Sequence, residues 1–334
     1  MHSDAKKKGF NQYWIVTILK QVLFLAISVA LSISFYEFWI NLRGIDSWSD
    51  INNYVQKFQG EYYYFSTLGY SDIELLTNEI LWIWLVDLLI GLNFYIYDIL
   101  KYTSIFCTIS ILIYLISSIK NWLILTLSLT IFLHPRLIDL IIGQNRSALA
   151  AALLYLALST KKMPLVILAS GVAAFIHTMF ALLFLLFLVI YLYNKFLNNK
   201  LIYLEKYAST IIAFVLALII KFFQSQILSS LGDRRAINIL VQNSLGEMIA
   251  WIAIAVTFLV FRNWGKKSLE SDMFIFCLVM MIISNFDGTY ASRYIAICIP
   301  AYVVATINVG GGYRWISQGL FLFSTLVFLF AFWL

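Results

Sequence analysis

Residues 14 to 36 read "WIVTILKQVLFLAISVALSISFY", and this stretch decides the class of fold. One charged residue, Lys20, interrupts an otherwise apolar run. About 20 apolar residues in a helix span the hydrocarbon core of a bilayer, because each residue adds about 1.5 Å of length. A secretory signal peptide has a shorter apolar region and a small-residue cleavage site, and we find no such site here. We therefore predict a retained first membrane span.

The rest of the composition extends this prediction to the whole chain. Of its 334 residues, 62% are hydrophobic and 12% are charged, and the mean hydropathy is +0.87. A soluble domain carries about 25% charged residues. Backbone groups in lipid must bond within their own segment, so the spans are expected to be helices. We predict an all-α polytopic protein whose residues 1–334 form a single integral membrane domain, with no nucleic-acid partner.

Apolar runs along the chain predict about 10 to 12 transmembrane or re-entrant helices. They lie near residues 14–36, 80–96, 99–118, 121–142, 147–160, 164–176, 178–193, 207–223, 246–261, 272–285, 293–309 and 315–333. Residues 37–79 are expected to form a first periplasmic loop with short helices, and residues 224–245 a second periplasmic loop. Lysine-rich loops mark the cytoplasmic side. If all lysine-rich loops are cytoplasmic, the number of predicted membrane crossings before residue 146 is wrong by one. Either 80–96 or the segment around Pro135 is therefore expected to be re-entrant.

The arginines are not distributed along the chain in the way that the lysines are. Five of the eight fall on the predicted outer side, where the positive-inside bias disfavours them: Arg43, Arg146, Arg234, Arg235 and Arg293. The planar guanidinium binds phosphate and carboxylate through two parallel hydrogen bonds. This distribution therefore indicates an anionic substrate that approaches from the outer face.

Two polar residues stand out inside apolar runs. Arg146 opens the helix that begins "QNRSALAAA" at Gln144, and the small residues after it allow close helix packing. His177 is expected on one helical face with Ser170, Ala173 and Ala174. Arg146 either binds an anion or extends towards lipid headgroups. His177 is either a proton-transfer group or a buried structural histidine.

Other charged residues near the predicted outer side are further candidates. Arg234 and Arg235 either grip one diphosphate from a loop or form a solvated, lipid-facing cluster. Asp287 and Arg293 flank the start of a span, and they either pair with each other or line the same cavity. The histidines, cysteines and acidic residues show no metal-ligand spacing, so we expect no metal and no cofactor.

Two segments resemble a known family. "RGIDSWSDINNYVQKF" (residues 43–58), followed by "NEILWIWL" (78–85), resembles the N-terminal signature of the EpsG/Wzy-type bacterial polysaccharide polymerases. "QNRSALAAALLYLALSTKKMPLVILASGVAAFIHTMF" (144–180) is similar to that family's central block, in which an arginine opens an alanine-rich helix and a later helix ends in histidine. The resemblance covers about residues 40–95 and 140–190.

The resemblance implies a membrane glycosyltransferase with a C-type fold. Its substrate would be an undecaprenyl-diphosphate-linked oligosaccharide, polymerised at the periplasmic face of the bacterial inner membrane into O-antigen or a related surface polysaccharide. Besides the lipid bilayer, a chain-length regulator and a flippase of the same pathway would be partners.

The resemblance also assigns roles to the candidate residues. Arg146 and His177 would be catalytic, with His177 activating the acceptor hydroxyl or orienting the leaving phosphate. The other residues would bind substrate: Arg234, Arg235 and Arg293 the diphosphate, with Asp287 beside them, and Arg43, Asp46, Tyr54 and Glu79 on the first-loop side of the sugar pocket.

Two other functions remain open on the sequence. A lipid-linked oligosaccharide transporter or flippase would also need cations in a cavity, although such transporters often contain repeated halves and none is visible here. A membrane O-acyltransferase would use His177 as a base, but it would need its cationic recognition on the cytoplasmic side.

Overall fold

The computed structural model describes residues 2–44, 48, 51, 54–55, 80–196, 205–230, 245–262, 268–287, 291–308 and 313–333. These residues are almost entirely helical and contain no β-strand, which confirms the predicted all-α class. Side chains are described from residue 22 onwards in the first helix.

The α-helices are numbered here in chain order. They are α1 (His2–Arg43), α2 (Ile80–Gly91), α3 (Ile96–Ser118), α4 (Trp122–Ser128), α5 (Pro135–Ile138), α6 (Asn145–Ser159), α7 (Met163–Ile176), α8 (Phe180–Phe196), α9 (Glu205–Ser230), α10 (Leu245–Phe261), α11 (Leu269–Asp287), α12 (Ala291–Ala305) and α13 (Tyr313–Trp333). Short 3₁₀ turns cover Leu129–Leu133 and Thr306–Asn308, and a π-helical turn covers Asp139–Gly143.

The fold contains apolar helices that are long enough to cross a membrane. Four are long and apolar enough to cross a bilayer within the described residues: Val22–Arg43, Ile96–Ser118, Leu269–Phe286 and Tyr313–Ala331. A fifth span results if Trp122–Leu133 and Pro135–Gly143, bent by 70°, are taken together. The sequence predicted more spans because it counted apolar runs, whereas several apolar helices are short. A helix of 12 residues, such as α2, is only about 18 Å long.

Helix α1 continues beyond the predicted end of the first span. It runs to Arg43, and its last turn is closed by Gly44, whose amide donates to the carbonyl of Ile40 at 2.8 Å. Gly44 has a φ of 76°, in the left-handed region that glycine adopts without a steric penalty. The start of the predicted loop 37–79 is therefore helical up to Arg43.

Helix α6 lies at the centre of the bundle. It packs against α3 on one side and α7 on the other, and its alanines Ala148, Ala151 and Ala152 are completely buried. These small side chains let the neighbouring backbones approach closely, which is how helices pack in a membrane. Tyr155, further along α6, donates a hydrogen bond to the carbonyl of Ile297 in α12.

The segment before α6 is a broken helix. Pro135 cannot continue the preceding helix, and it instead starts α5 at a position that suits its fixed φ. The buried His134 caps this new start, because its Nδ1 accepts the Arg136 amide at 3.2 Å. The π-helical turn that follows adds one residue to the turn and leads directly to Arg146.

Contacts at one end of the bundle position several helix termini together. Lys101, near the start of α3, bonds Glu37 near the end of α1 at 2.5 Å. Asn145 Nδ2, at the start of α6, donates to the carbonyl of Leu100 at 3.0 Å and to Ser104 Oγ at 3.1 Å. The end of α1 and the starts of α3 and α6 therefore share one end of the bundle, called here the Arg146 end.

Helix α2 begins at the same end. Its Trp82 packs on Tyr54, which contacts Arg146. Only residues 92–95 separate α2 from α3, which also starts at the Arg146 end. Because both ends of α2 are tied to this end, we infer that α2 does not cross the bundle, which agrees with one of the two sequence alternatives. Removing this crossing places the first loop and Arg146 on the same side.

Candidate functional site

Arg146 is held by a tyrosine from the first loop. Its Nε donates to Tyr54 Oη at 2.7 Å, and its guanidinium carbon lies 5.4 Å from the centre of the Tyr54 ring. Tyr54 is only 6% exposed and rests on the buried Trp82, with 5.6 Å between ring centres. The sequence placed Tyr54 on the wall of a sugar pocket. Its position beneath Arg146 lets it fix the direction of the guanidinium.

Trp48 makes a second contact between the first loop and the segment around Arg146. The Arg43 guanidinium lies 5.2 Å from the ring centre of Trp48, which is fully buried. Trp48 packs on Gly143 so closely that a Cβ on Gly143 would lie 3.2 Å from its Cε3, and 2.7 Å from Asp139 Oδ1. The close packing at Gly143 therefore requires glycine, and it brings Arg43 to the same end as Arg146.

The described residues of the first loop share this inward packing. Four of them are buried: Trp48, Ile51, Tyr54 and Val55. The loop therefore folds back over the start of α6 and does not project away from it at these positions.

Asp139 adds an acidic group to the site. Its Oδ2 accepts a hydrogen bond from Gln144 Nε2 at 2.6 Å across the π-helical turn. Gln144 is the N-cap residue of α6 and precedes Arg146 by two positions, so this bond connects Asp139 to the start of the helix that carries Arg146. The sequence interpretation did not select Asp139, although an acidic residue in the apolar run "LIDLII" is itself a signal of function.

A buried ion pair connects the broken helix to α10. Arg136 Nε lies 2.9 and 3.1 Å from the two carboxylate oxygens of Glu247, and its Nη2 lies 2.5 Å from Oε2. The two side chains are 24% and 8% exposed. Glu247 lies in the first turn of α10, where the helix dipole also favours a negative charge. This pair anchors the segment that leads to Arg146.

His177 lies between two helices rather than within one. Its amide donates to the carbonyl of Ala173 at 2.8 Å and ends α7, while its Nδ1 accepts the Met179 amide at 3.2 Å just before α8. The side chain is buried, as are Ser170 and Ala173 on the same face. Because Nδ1 accepts an N–H, the neutral ring carries its proton on Nε2.

His177 and Arg146 lie towards the same end of the bundle. Helices α6 and α7 pack side by side and are joined by the short turn at residues 160–162, so they run in opposite directions. The start of α6 therefore lies beside the end of α7. Helix α2, which contains Trp82, also packs on α7.

The structure describes only some of the remaining predicted site residues. Arg293 is partly buried, near the start of α12 and four residues before Ile297, whose carbonyl accepts from Tyr155 of α6. Asp287 is the last residue of α11, and its side chain is not described. The other four lie outside the described residues: Asp46, Glu79, Arg234 and Arg235.

A second buried polar cluster lies at the other ends of the helices. Arg262 follows α10, and its Nη1 donates to Thr210 Oγ1 at 2.8 Å, which in turn donates to Asp272 Oδ1 at 2.9 Å. Burial lowers the pKa of Arg262 from its ordinary value, and the charge of Asp272 opposes that change. This cluster joins α9, α10 and α11, and it is separate from the Arg146 site.

Comparison with known proteins places the chain in no group: no family model, no curated protein and no solved structure matches it.

Proposed function

We propose that this protein is a membrane glycosyltransferase that polymerises lipid-diphosphate-linked oligosaccharides. The observation that carries the proposal is the Arg146 guanidinium, which a loop tyrosine orients at the mouth of a closely packed helix. An arginine that only extends towards headgroups does not need a buried tyrosine and tryptophan behind it. A guanidinium fixed in this way suits a phosphate group whose charge increases during the reaction.

The proposed reaction transfers a growing glycan to a hydroxyl of a new lipid-linked repeat. The hydroxyl oxygen forms a bond to the anomeric carbon, and the bond between that carbon and the diphosphate oxygen breaks. The lipid diphosphate leaves with the bonding electrons, and the hydroxyl proton is released. Arg146 stabilises the leaving group, and Arg43, held over Trp48 at the same end, adds positive charge to its surroundings.

The resemblance gave His177 two roles, activating the acceptor hydroxyl or orienting the leaving phosphate. We assign it the second. Because Nδ1 accepts the Met179 amide, the ring presents an N–H at Nε2. An N–H donor is suited to a phosphate oxygen, whereas a base for the acceptor hydroxyl would need an unprotonated nitrogen. His177 is therefore proposed to orient the leaving diphosphate.

The expected orientation of the chain in the membrane fits a reaction at the outer face of the bacterial inner membrane. The sequence-based topology places the Arg146 end on the side away from the lysine-rich loops. Arg234, Arg235 and Arg293, which the topology assigns to the same side, would bind the remaining phosphate charge together with Asp287. Asp46 and Glu79 are proposed to contact the sugars. O-antigen or a related surface polysaccharide is the proposed product.

Chain growth in a purified system tests the proposal. The protein in detergent is incubated with undecaprenyl-diphosphate-linked repeat units, and the products are separated by length. A ladder of products supports the polymerase. If a matched substrate gives no ladder, and reconstituted vesicles instead show accelerated flipping of the lipid-linked unit, the protein is a transporter. Transfer of acyl groups from acyl-coenzyme A would identify an acyltransferase.

A further inference from the structure

We infer that Lys221 of α9 binds the diphosphate of the acceptor lipid, at a point away from Arg146. The inference rests on the proposed glycosyl transfer, because both substrates of that reaction are lipid diphosphates. The donor releases its diphosphate at Arg146, whereas the acceptor keeps its own and offers a hydroxyl at the other end of its repeat unit. The acceptor diphosphate therefore lies a whole oligosaccharide away from the reacting atoms, and it needs a cation of its own.

Lys221 is a buried cation in an apolar helix. It is 7% exposed, and it follows Ala213 and Ala217 at steps of four residues, both of which are completely buried. Residues spaced by four lie on one face of a helix, so Lys221 is directed towards the interior of the bundle. A lysine that only extends to the lipid headgroups would keep its ammonium exposed. Ionisable residues that face the interior of a membrane bundle typically line substrate-binding positions.

The packing of α9 on α11 places Lys221 towards the Arg146 end. Thr210 and Asp272 bond to each other near the starts of these two helices, at the opposite end of the bundle. The two helices pack together and so run in the same direction from this bond. Lys221 comes eleven residues after Thr210, which is a rise of roughly 16 Å. This is about one turn before the level at which the apolar span of α11 ends, at Phe286.

Lys221 and Arg146 belong to different parts of this end of the bundle. Helix α6, which Arg146 begins, packs on α7, α7 packs on α8, and α8 packs on α9. The axes of packed helices are ~8–10 Å apart. The order of packing therefore places α9 beyond α7 and α8 as seen from α6. An oligosaccharide of several sugars has the length to connect the two cations, whereas a single diphosphate does not.

The surface beside Lys221 is apolar and faces the lipid phase. Phe222 and Phe223 follow it in α9 and are exposed, and their ring centres are 5.1 Å apart. Phe286, at the end of the neighbouring span in α11, is exposed as well. A polyprenyl chain that lies against these rings brings its headgroup to Lys221. This surface favours a diphosphate carried by a lipid over a free phosphate.

Transfer to a charged and to an uncharged acceptor tests this inference, with the full chain in a neutral detergent that contains no anionic phospholipid. The donor is a lipid-diphosphate-linked repeat unit whose own acceptor hydroxyl is blocked as a methyl ether. The two acceptors have the same repeat unit and polyprenyl chain, joined either by a non-transferable diphosphonate or by an uncharged ether. Wild type is expected to have a KM at least tenfold lower for the charged acceptor. Lys221→Met should remove this preference without changing the KM for the donor, and Lys221→Arg should keep it.

Lys195→Met is the matched control, because Lys195 is an exposed lysine in the last turn of α8, at the opposite end of the bundle. It should keep the preference. An unchanged preference in Lys221→Met would overturn the inference and leave the polymerisation intact, and inhibition by inorganic diphosphate as strong as by the charged acceptor would do the same. Transfer to neither acceptor by wild type would overturn the proposed polymerisation and this inference with it. If thermal unfolding shows that Lys221→Met does not fold, Lys221→Gln is measured instead.

Discussion

His134 and His177 have the same structural role at two different helix breaks. Each is buried, each precedes a helix, and each accepts the amide of the residue two positions later on Nδ1 at 3.2 Å. His134 is followed by α5 and His177 by α8. The histidine that is proposed to orient the leaving diphosphate is therefore also a helix cap, and the two roles have to be separated by experiment.

Substitution of His177 by asparagine separates the capping role of this residue from its proposed role in the reaction. His177→Asn retains an acceptor that can reach the Met179 amide, as asparagine caps commonly do, but it lacks the Nε2 donor. We expect this variant to unfold at nearly the wild-type temperature while its chain-growth rate falls about 100-fold, the range for a lost transition-state donor. His177→Ala should lose about 1 kcal/mol of stability as well.

The matched control is His134→Asn, which makes the same exchange at the other helix break, where the histidine has the same capping contact but no proposed contact with the diphosphate. It should retain its chain-growth rate. If His177→Asn polymerises as fast as the wild type, the histidine is only a cap.

Removal of one hydroxyl tests whether Tyr54 directs Arg146. Tyr54→Phe keeps the ring beneath the guanidinium but removes the acceptor at 2.7 Å from Nε. A hydrogen bond to a charged group contributes about 1.5–3 kcal/mol, which corresponds to a decrease in kcat of roughly 10- to 100-fold if it acts in the transition state. We expect kcat to fall more than KM rises.

Tyr114→Phe is the control for this loss of a hydroxyl. Tyr114 is also fully buried, but its Oη has no hydrogen-bond partner among the described residues. Its substitution should leave both kcat and stability unchanged. An equal effect of the two substitutions would reject the positioning role of Tyr54.

The Arg136–Glu247 pair should contribute strongly to stability. Glu247→Gln leaves the Arg136 charge without its carboxylate in a largely buried position, and breaking a buried pair in this way costs about 3–5 kcal/mol. Unfolding by denaturant in detergent measures the change. Glu37→Gln is the control, because its pair with Lys101 is 45% and 34% exposed and should contribute only about 0–1 kcal/mol. Similar losses in the two variants would contradict the assignment of Arg136–Glu247 as a buried anchor.

Gly143 should tolerate no side chain. Gly143→Ala places a Cβ against Trp48 and the Asp139 carboxylate, and we expect a loss of about 1–3 kcal/mol together with slower chain growth, because the turn leads to Arg146. Gly91→Ala, which meets no atom within 4 Å, should cost nothing. A fully active and stable Gly143→Ala would show that the contact with Trp48 does not fix the site.

The sequence predicted the parts of this structure that depend on local patterns. Apolar runs identified most of the helices, and Arg146 and His177 were visible as polar exceptions within them. The contacts of the site join distant residues: Tyr54 and Arg146 are 92 positions apart, and Arg136 and Glu247 are 111 apart. No local spacing encodes such pairs.

Helix boundaries were predicted less well than helix positions. Hydropathy marks where the chain leaves the lipid, whereas a helix continues until its last turn is closed, as Gly44 does for α1. For the same reason the short α2 was counted as part of a crossing. Its place at the Arg146 end is determined by Trp82 and Tyr54, which are far apart in sequence.

The most direct test of the central claim is the chain-growth rate of Arg146→Lys and Arg146→Ala in the purified system. Lysine keeps the charge but loses the planar fork and the Nε contact with Tyr54. We predict that Arg146→Ala slows chain growth by at least 100-fold, that Arg146→Lys recovers only a small part of the rate, and that both unfold near the wild-type temperature. Full chain growth by a folded Arg146→Ala protein would contradict the proposal that this guanidinium stabilises the leaving diphosphate.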